Sequence, residues 1–181
     1  MKEYILQYKS FLLFLAKFFI TYLVLSFVYQ SYLNRFDQKK NEVDGFTISV
    51  ANQTKTVLSL VDDQSYTMPH LTEPSVKLFY KNKWVARIIE GCNALSVMIL
   101  FVSFIIAFSG KFKTMLLFIL SGLVIIHIFN VLRIALLSMA VYHYNEYQDF
   151  LHSVIFPLFI YGVVFVLWVI WVNNYSSYAK R

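Results

Sequence analysis

Ile89-Glu90-Gly91-Cys92-Asn93-Ala94-Leu95-Ser96 is where a charged segment gives way to an apolar one, and it carries the chain's only cysteine. On its N-terminal side, residues 30–90 hold eight Lys or Arg and seven Asp or Glu. On its C-terminal side, Asn93 to Phe108 is almost wholly apolar. Such a boundary reads as a chain leaving water and entering lipid as a helix, which satisfies its own backbone polar groups there. Cys92 is then expected in the first turn of that helix, on the water side, where unpaired N–H groups favour a thiolate. A lone cysteine also serves as a small buried hydrophobe, so the thiol by itself decides nothing.

The rest of the composition agrees with a membrane setting. Of 181 residues, 59% are hydrophobic and 14% charged, too apolar for an ordinary water-soluble domain, in which about a quarter of residues are charged. A single cysteine excludes an intrachain disulfide framework. The net charge of +6 is scattered, with several of its bases at the ends of apolar runs. That pattern suits membrane orientation and argues against nucleic acid as a partner.

The expected fold is mainly α: a polytopic membrane protein with about four transmembrane helices and a small extracytoplasmic β-rich cap between helices 1 and 2. Residues 1–29 are the cytoplasmic N-terminus and the first transmembrane helix, with Phe11 to Tyr29 long enough to span a hydrocarbon core of about 30 Å. Lys17 lies within two turns of the inner end, and its stem reaches the headgroups. Residues 30–90 are the cap. Within it, Gly45 to Val50 and Thr54 to Val61 are rich in β-branched residues and flank Ala51-Asn52-Gln53, which reads as a hairpin. Val76 to Tyr80 and Trp84 to Ile89 flank Lys81-Asn82-Lys83 in the same way, giving about four strands. Residues 91–172 are helices 2–4: Asn93 to Phe108, the long run Thr114 to Tyr144, and Ser153 to Val172. Residues 173–181 form a cytoplasmic basic tail.

Orientation follows from the short flanks. The N-terminus, the turn at Gly110 and the tail hold six Lys or Arg against one acid, whereas the loop around Glu146 and Asp149 has two acids and no Lys or Arg. The excess of positive charge places both termini and the Gly110 turn in the cytoplasm, with the cap outside.

Depth then brings three polar residues together. Arg133 comes nineteen residues after Thr114, so at about 1.5 Å per residue it has climbed about 28 Å and reaches the outer boundary. His152 opens the last span from that side, and Cys92 opens the second. A charge inside an apolar run marks a functional position, because its desolvation has to be offset by a partner. The trio suits cysteine catalysis: His152 takes the thiol proton and returns it to a leaving amine, while Arg133 favours the thiolate and holds an oxyanion. Each also has a plainer use, His152 as an interfacial cap and Arg133 in a pair with Glu146 or Asp149. Asn130, three residues before Arg133, shares its side of the helix. His127, one turn deeper, is expected to hydrogen-bond between helices.

The run Glu90-Gly91-Cys92-Asn93-Ala94, then Asn130-Val131-Leu132-Arg133-Ile134, then His152 followed by Pro157, resembles the exosortase and archaeosortase family. In its shortness the chain is similar to the F-type exosortases. The resemblance covers about Arg87 to Val172, and its specificity lies in the order Cys, Asn-x-x-Arg, His on successive spans. It implies a cysteine transpeptidase or peptidase, sortase-like in residue types and unrelated in fold, with Cys92 as nucleophile, Arg133 as transition-state stabiliser and His152 as acid–base. Asn130 and Asn93 are the supporting or substrate-lining candidates. Asn93 and Ala94 stand where many members carry a small hydroxyl residue and a glycine.

What the resemblance implies further is an inner-membrane enzyme whose active site faces the periplasm. Its partners are the lipid bilayer and exported proteins bearing a C-terminal sorting signal, a short motif followed by a hydrophobic helix and a basic tail. No cofactor is implied, and no His/Cys spacing suits zinc. Two other classes fit the composition: a haem-bearing bundle using two of His127, His143 and His152, and a non-catalytic scaffold of a secretion or envelope assembly.

Overall fold

A computed structural model describes residues 8–37, 40–144, 146 and 150–176, apart from the side chains of His152 and Phe156. Lys2, Glu3, Asp149, Lys180 and Arg181, which carry part of the orientation count, lie outside the described residues.

Among the described residues, five α-helices and one sheet follow in order: α1 (Lys9–Leu33), α2 (Gly45–Ser59), β1 (Tyr66–Pro69), β2 (Val76–Tyr80), β3 (Lys83–Ile88), α3 (Leu95–Phe108), α4 (Phe112–His143) and α5 (Phe156–Asn174). A π-helical turn, Leu151–Ile155, leads into α5. Among the described residues, three helical stretches are long and apolar enough to cross a membrane: α1, α4 and Ser153–Asn174. The fourth apolar helix expected from the sequence, α3, has only 14 residues. At about 1.5 Å per residue it covers about 21 Å, less than the hydrocarbon thickness.

The hairpin expected over residues 45–61 is absent: residues 45–59 are the single helix α2, and Leu60 and Val61 form the turn that follows it. Asp44 caps it, its carboxylate accepting from the Thr47 N–H at 2.9 Å. The buried positions are Thr47, Val50, Ala51, Thr54 and Leu58, a 3.6-residue stripe that overrides the strand preference of the β-branched residues. Burying threonine in that stripe is tolerated because the Thr54 hydroxyl donates to the Val50 carbonyl at 2.8 Å. The segment between α1 and α3 is thus mixed, one helix and three strands among the described residues, rather than β-rich with about four strands.

The sheet is antiparallel in the order β1-β2-β3. The hairpin expected over residues 76–89 is present with a tighter turn: Lys83 pairs with Tyr80 as the first residue of β3, leaving Lys81 and Asn82, both at positive φ, as a two-residue turn matched to strand twist. Alternation along β2 buries Val76, Leu78 and Tyr80. They pack with Val50, Ala51 and Leu58 of α2 and with Val131, Ile134 and Ala135 of α4 in one cluster. The far half of α4 therefore forms the platform on which α2 and the sheet sit, which accounts for a helix too long for one crossing.

A second cluster joins α3, α4 and α5 through Phe101, Ile105, Ile126, Val164 and Trp171. Gly122 is what lets α3 approach α4, since a Cβ there would stand 2.3 Å from the Phe101 ring. Phe101 is fully buried and has nowhere to retreat. Gly122→Ala is expected to destabilise the bundle by about 1–3 kcal/mol through overpacking, lowering the melting temperature in detergent, with Phe101→Leu in the same chain restoring part of the loss. Near the Gly110 turn, Lys17 donates to the Ser109 hydroxyl at 2.9 Å and ties α1 to the end of α3.

Candidate active site

The chain leaves β3 at Ile88, extends at Ile89 and closes a 3-10 turn over Glu90–Cys92. Cys92 N donates to the Ile89 carbonyl at 2.9 Å. Ala94 then adopts a left-handed conformation, φ 64, before α3 begins at Leu95. Cys92 therefore stands three positions ahead of the helix, with Asn93 and Ala94 between, instead of lying in its first turn. The correction matters chemically: the leading N–H of α3, on Leu95, is taken by Asn93 Oδ1 at 2.9 Å, so the thiol does not rest on the helix terminus. The thiol itself is free and half-buried.

Asn93 fastens this turn. It is almost wholly buried, and its Nδ2 donates to Thr47 Oγ1 at 3.0 Å and to Tyr29 Oη at 3.2 Å. One amide thus binds α1, α2 and the start of α3 together. Both of its amide atoms are thus engaged within the protein. Neither Tyr29 nor Thr47 stands out in the sequence. Their partner is 64 and 46 residues away, and no local pattern signals such a link.

From the other side α4 reaches the same turn. Asn130 is fully buried, and its Nδ2 donates to the Cys92 carbonyl at 2.9 Å. Its Oδ1 is buried without a hydrogen-bond partner among the described residues. Arg133, one turn further, lies within electrostatic range of Cys92 and of Tyr161 on α5. Cys92, Asn130 and Arg133 are therefore brought together, and the predicted height of Arg133 corresponds to the level of the Cys92 turn.

The side chain of His152 lies outside the described residues. Its backbone belongs to the π-helical turn ahead of α5. Phe159, seven residues on, meets Phe129 of α4 with ring centroids 5.9 Å apart. The bridge between Gly110 and Ser176 shows that α5 runs back along α4. Seven residues of travel from Phe129 reach Leu136, so the His152 backbone stands about one turn beyond Arg133. His127 sits elsewhere, its Nε2 2.6 Å from Gln53 Oε1 at the α2–α4 contact, the interhelical bond expected for it.

The site can offer a thiol, a guanidinium within electrostatic range of it and a backbone turn tied down by two buried amides. A search of curated proteins and one of solved structures gave no match. The sequence profile of transmembrane exosortases matches residues 5–174. That span takes in the Cys92 turn, the Asn130 and Arg133 face of α4 and the whole of α5, and the chain belongs to the transmembrane exosortase family.

Proposed function

We propose that the protein is a membrane-embedded cysteine transpeptidase or peptidase that cleaves C-terminal sorting signals of exported proteins at the outer face of a bacterial inner membrane. Residues 1–29 anchor the chain, 30–90 cover the site from outside, 91–172 carry it, and both termini face the cytoplasm. The substrate's hydrophobic helix enters the bilayer beside α3 to α5 and brings its scissile bond to Cys92. The thiol sulfur attacks the peptide carbonyl, its proton passing to His152. Arg133 stabilises the oxyanion of the tetrahedral intermediate. His152 returns the proton to the leaving amine, and the acyl-thioester is then resolved by an amine or by water.

The observation that carries this reading is the seam between the Cys92 turn and α4, where Asn130 holds the Cys92 carbonyl and Arg133 sets its charge near the thiol. A haem bundle is less well served. His127 is engaged by Gln53, and His143 lies sixteen residues along the same helix, about 24 Å away, so those two do not serve as axial ligands of one iron and any pair has to include His152. Separate replacement of Cys92, Arg133 and His152 by alanine tests the proposal. Loss of substrate processing in each variant at normal protein levels supports the enzyme, and full function in Cys92→Ala identifies a scaffold.

A further inference from the structure

At the end of α3 away from the Cys92 turn, a cavity of about 430 Å³ opens between α1, the Ser109-Gly110 turn and the start of α4. Lys17, Thr21 and Ser109 line it with polar groups, and Ile20, Ile106 and Met115 supply apolar wall. The Lys17 ammonium donates to the Ser109 hydroxyl at 2.9 Å, and that hydroxyl donates in turn to the Ile106 carbonyl. A neutral hydroxyl orients an ammonium without neutralising it, and among the described residues Lys17 forms no ion pair. The sequence explains why: it has no Asp or Glu from Tyr4 to Phe36 or from Gly91 to Asn145. Lys111 and Lys113, on either side of the wall residue Phe112, add to the excess of cations.

Depth makes that excess costly. Lys17 is eight residues into α1, about 12 Å from its start. With the Cys92 turn at one membrane surface, the 14 residues of α3 cover about 21 Å of a hydrocarbon layer of about 30 Å. The Ser109-Gly110 turn therefore stops short of the far surface, at the depth of the lysine bonded to it. A cation held there needs an anion to offset its desolvation. The exposed side chains of Ile20 and Phe112 put the mouth of the cavity at the outer surface of the bundle, where lipid lies.

We propose that this cavity binds an anionic phospholipid, its headgroup phosphate drawn inward to the Lys17 ammonium and an acyl chain lying on Ile20, Ile106 and Met115. The cations select the headgroup, and the apolar wall distinguishes a lipid from a free anion. Calling that leaflet the cytoplasmic one rests on the proposed orientation; the binding does not.

Native mass spectrometry of the full chain released from detergent micelles, with phosphatidylglycerol and phosphatidylcholine of matched chains as probes, tests this. The first phosphatidylglycerol is expected to bind about fivefold more tightly than phosphatidylcholine, the effect of one basic residue on an anionic headgroup. Lys17→Gln removes that preference and Lys17→Arg keeps it. Ile106→Trp fills the cavity with every charge in place, and brings phosphatidylglycerol down to the affinity of phosphatidylcholine. Cys92→Ala binds as the parent does, so the result stands apart from the proposed chemistry. Equal binding of the two lipids by the parent, or the preference retained in folded Lys17→Gln or Ile106→Trp protein, overturns the site. Loss of the preference in Lys113→Gln, which leaves the cavity wall intact, shows attraction to the whole basic turn and overturns it too. A melting temperature raised as much by inorganic phosphate as by phosphatidylglycerol marks a free anion and overturns the lipid assignment.

Discussion

Cys92→Ala is expected to abolish processing of a sorting-signal substrate, by about 10³-fold or more, while the protein stays in the membrane with an unchanged melting temperature. The separation of effects comes from the structure. The turn around Cys92 is held through backbone and neighbouring side chains: the Cys92 carbonyl accepts from Asn130, and Asn93 supplies the links to Tyr29 and Thr47. The thiol takes no part in those bonds, and removing it from a half-buried position leaves them in place. Activity should be read as conversion of precursor to processed product at equal enzyme levels. Processing retained within tenfold of the parent would contradict a covalent role for the sulfur.

Arg133→Ala is the second large effect expected, a loss of about 10²- to 10³-fold in turnover, the range for removing one group that stabilises a developing oxyanion. Arg133→Lys is expected to recover only part of it, because an ammonium keeps the charge but not the planar fork of donors. Single-turnover cleavage is the measurement, since it separates the acylation step from substrate capture. A variant whose capture weakens while its cleavage step is untouched would show that Arg133 holds substrate and does not act on the transition state.

The helices were legible because the bilayer imposes a length on an apolar run, and the long runs around Phe11, Thr114 and Ser153 meet it. The position of Arg133 far along α4, one turn past the residue that bonds the Cys92 turn, was legible in the same way, since rise per residue converts sequence distance into distance along a helix. Gly45 to Ser59 misled because Thr47, Ile48, Val50, Thr54, Thr56 and Val57 favour strands by composition. The deciding signal was the spacing of Thr47, Val50, Ala51, Thr54 and Leu58, visible only if threonine is counted among the residues that can be buried. The excess length of α4 was seen, but its use as a platform for α2 and the sheet depends on contacts between distant segments.

At the site, the residue types and their order along the chain were legible and the local backbone was not. Nothing in Cys92-Asn93-Ala94 announces a left-handed residue, because alanine seldom adopts that conformation. The turn persists because Asn93 is anchored on three elements at once, an arrangement set by tertiary packing.

The central claim is that Cys92 forms a covalent bond with the substrate at the seam against α4. Rapid acid quenching of the membrane-reconstituted protein with a sorting-signal peptide, followed by mass spectrometry of the fragment containing Cys92, examines it directly. The expected result is the mass of the peptide's N-terminal portion attached at Cys92 and released by hydroxylamine, as a thioester requires. Substrate turning over with Cys92 unmodified under those conditions, and with the fragment fully covered, would contradict it.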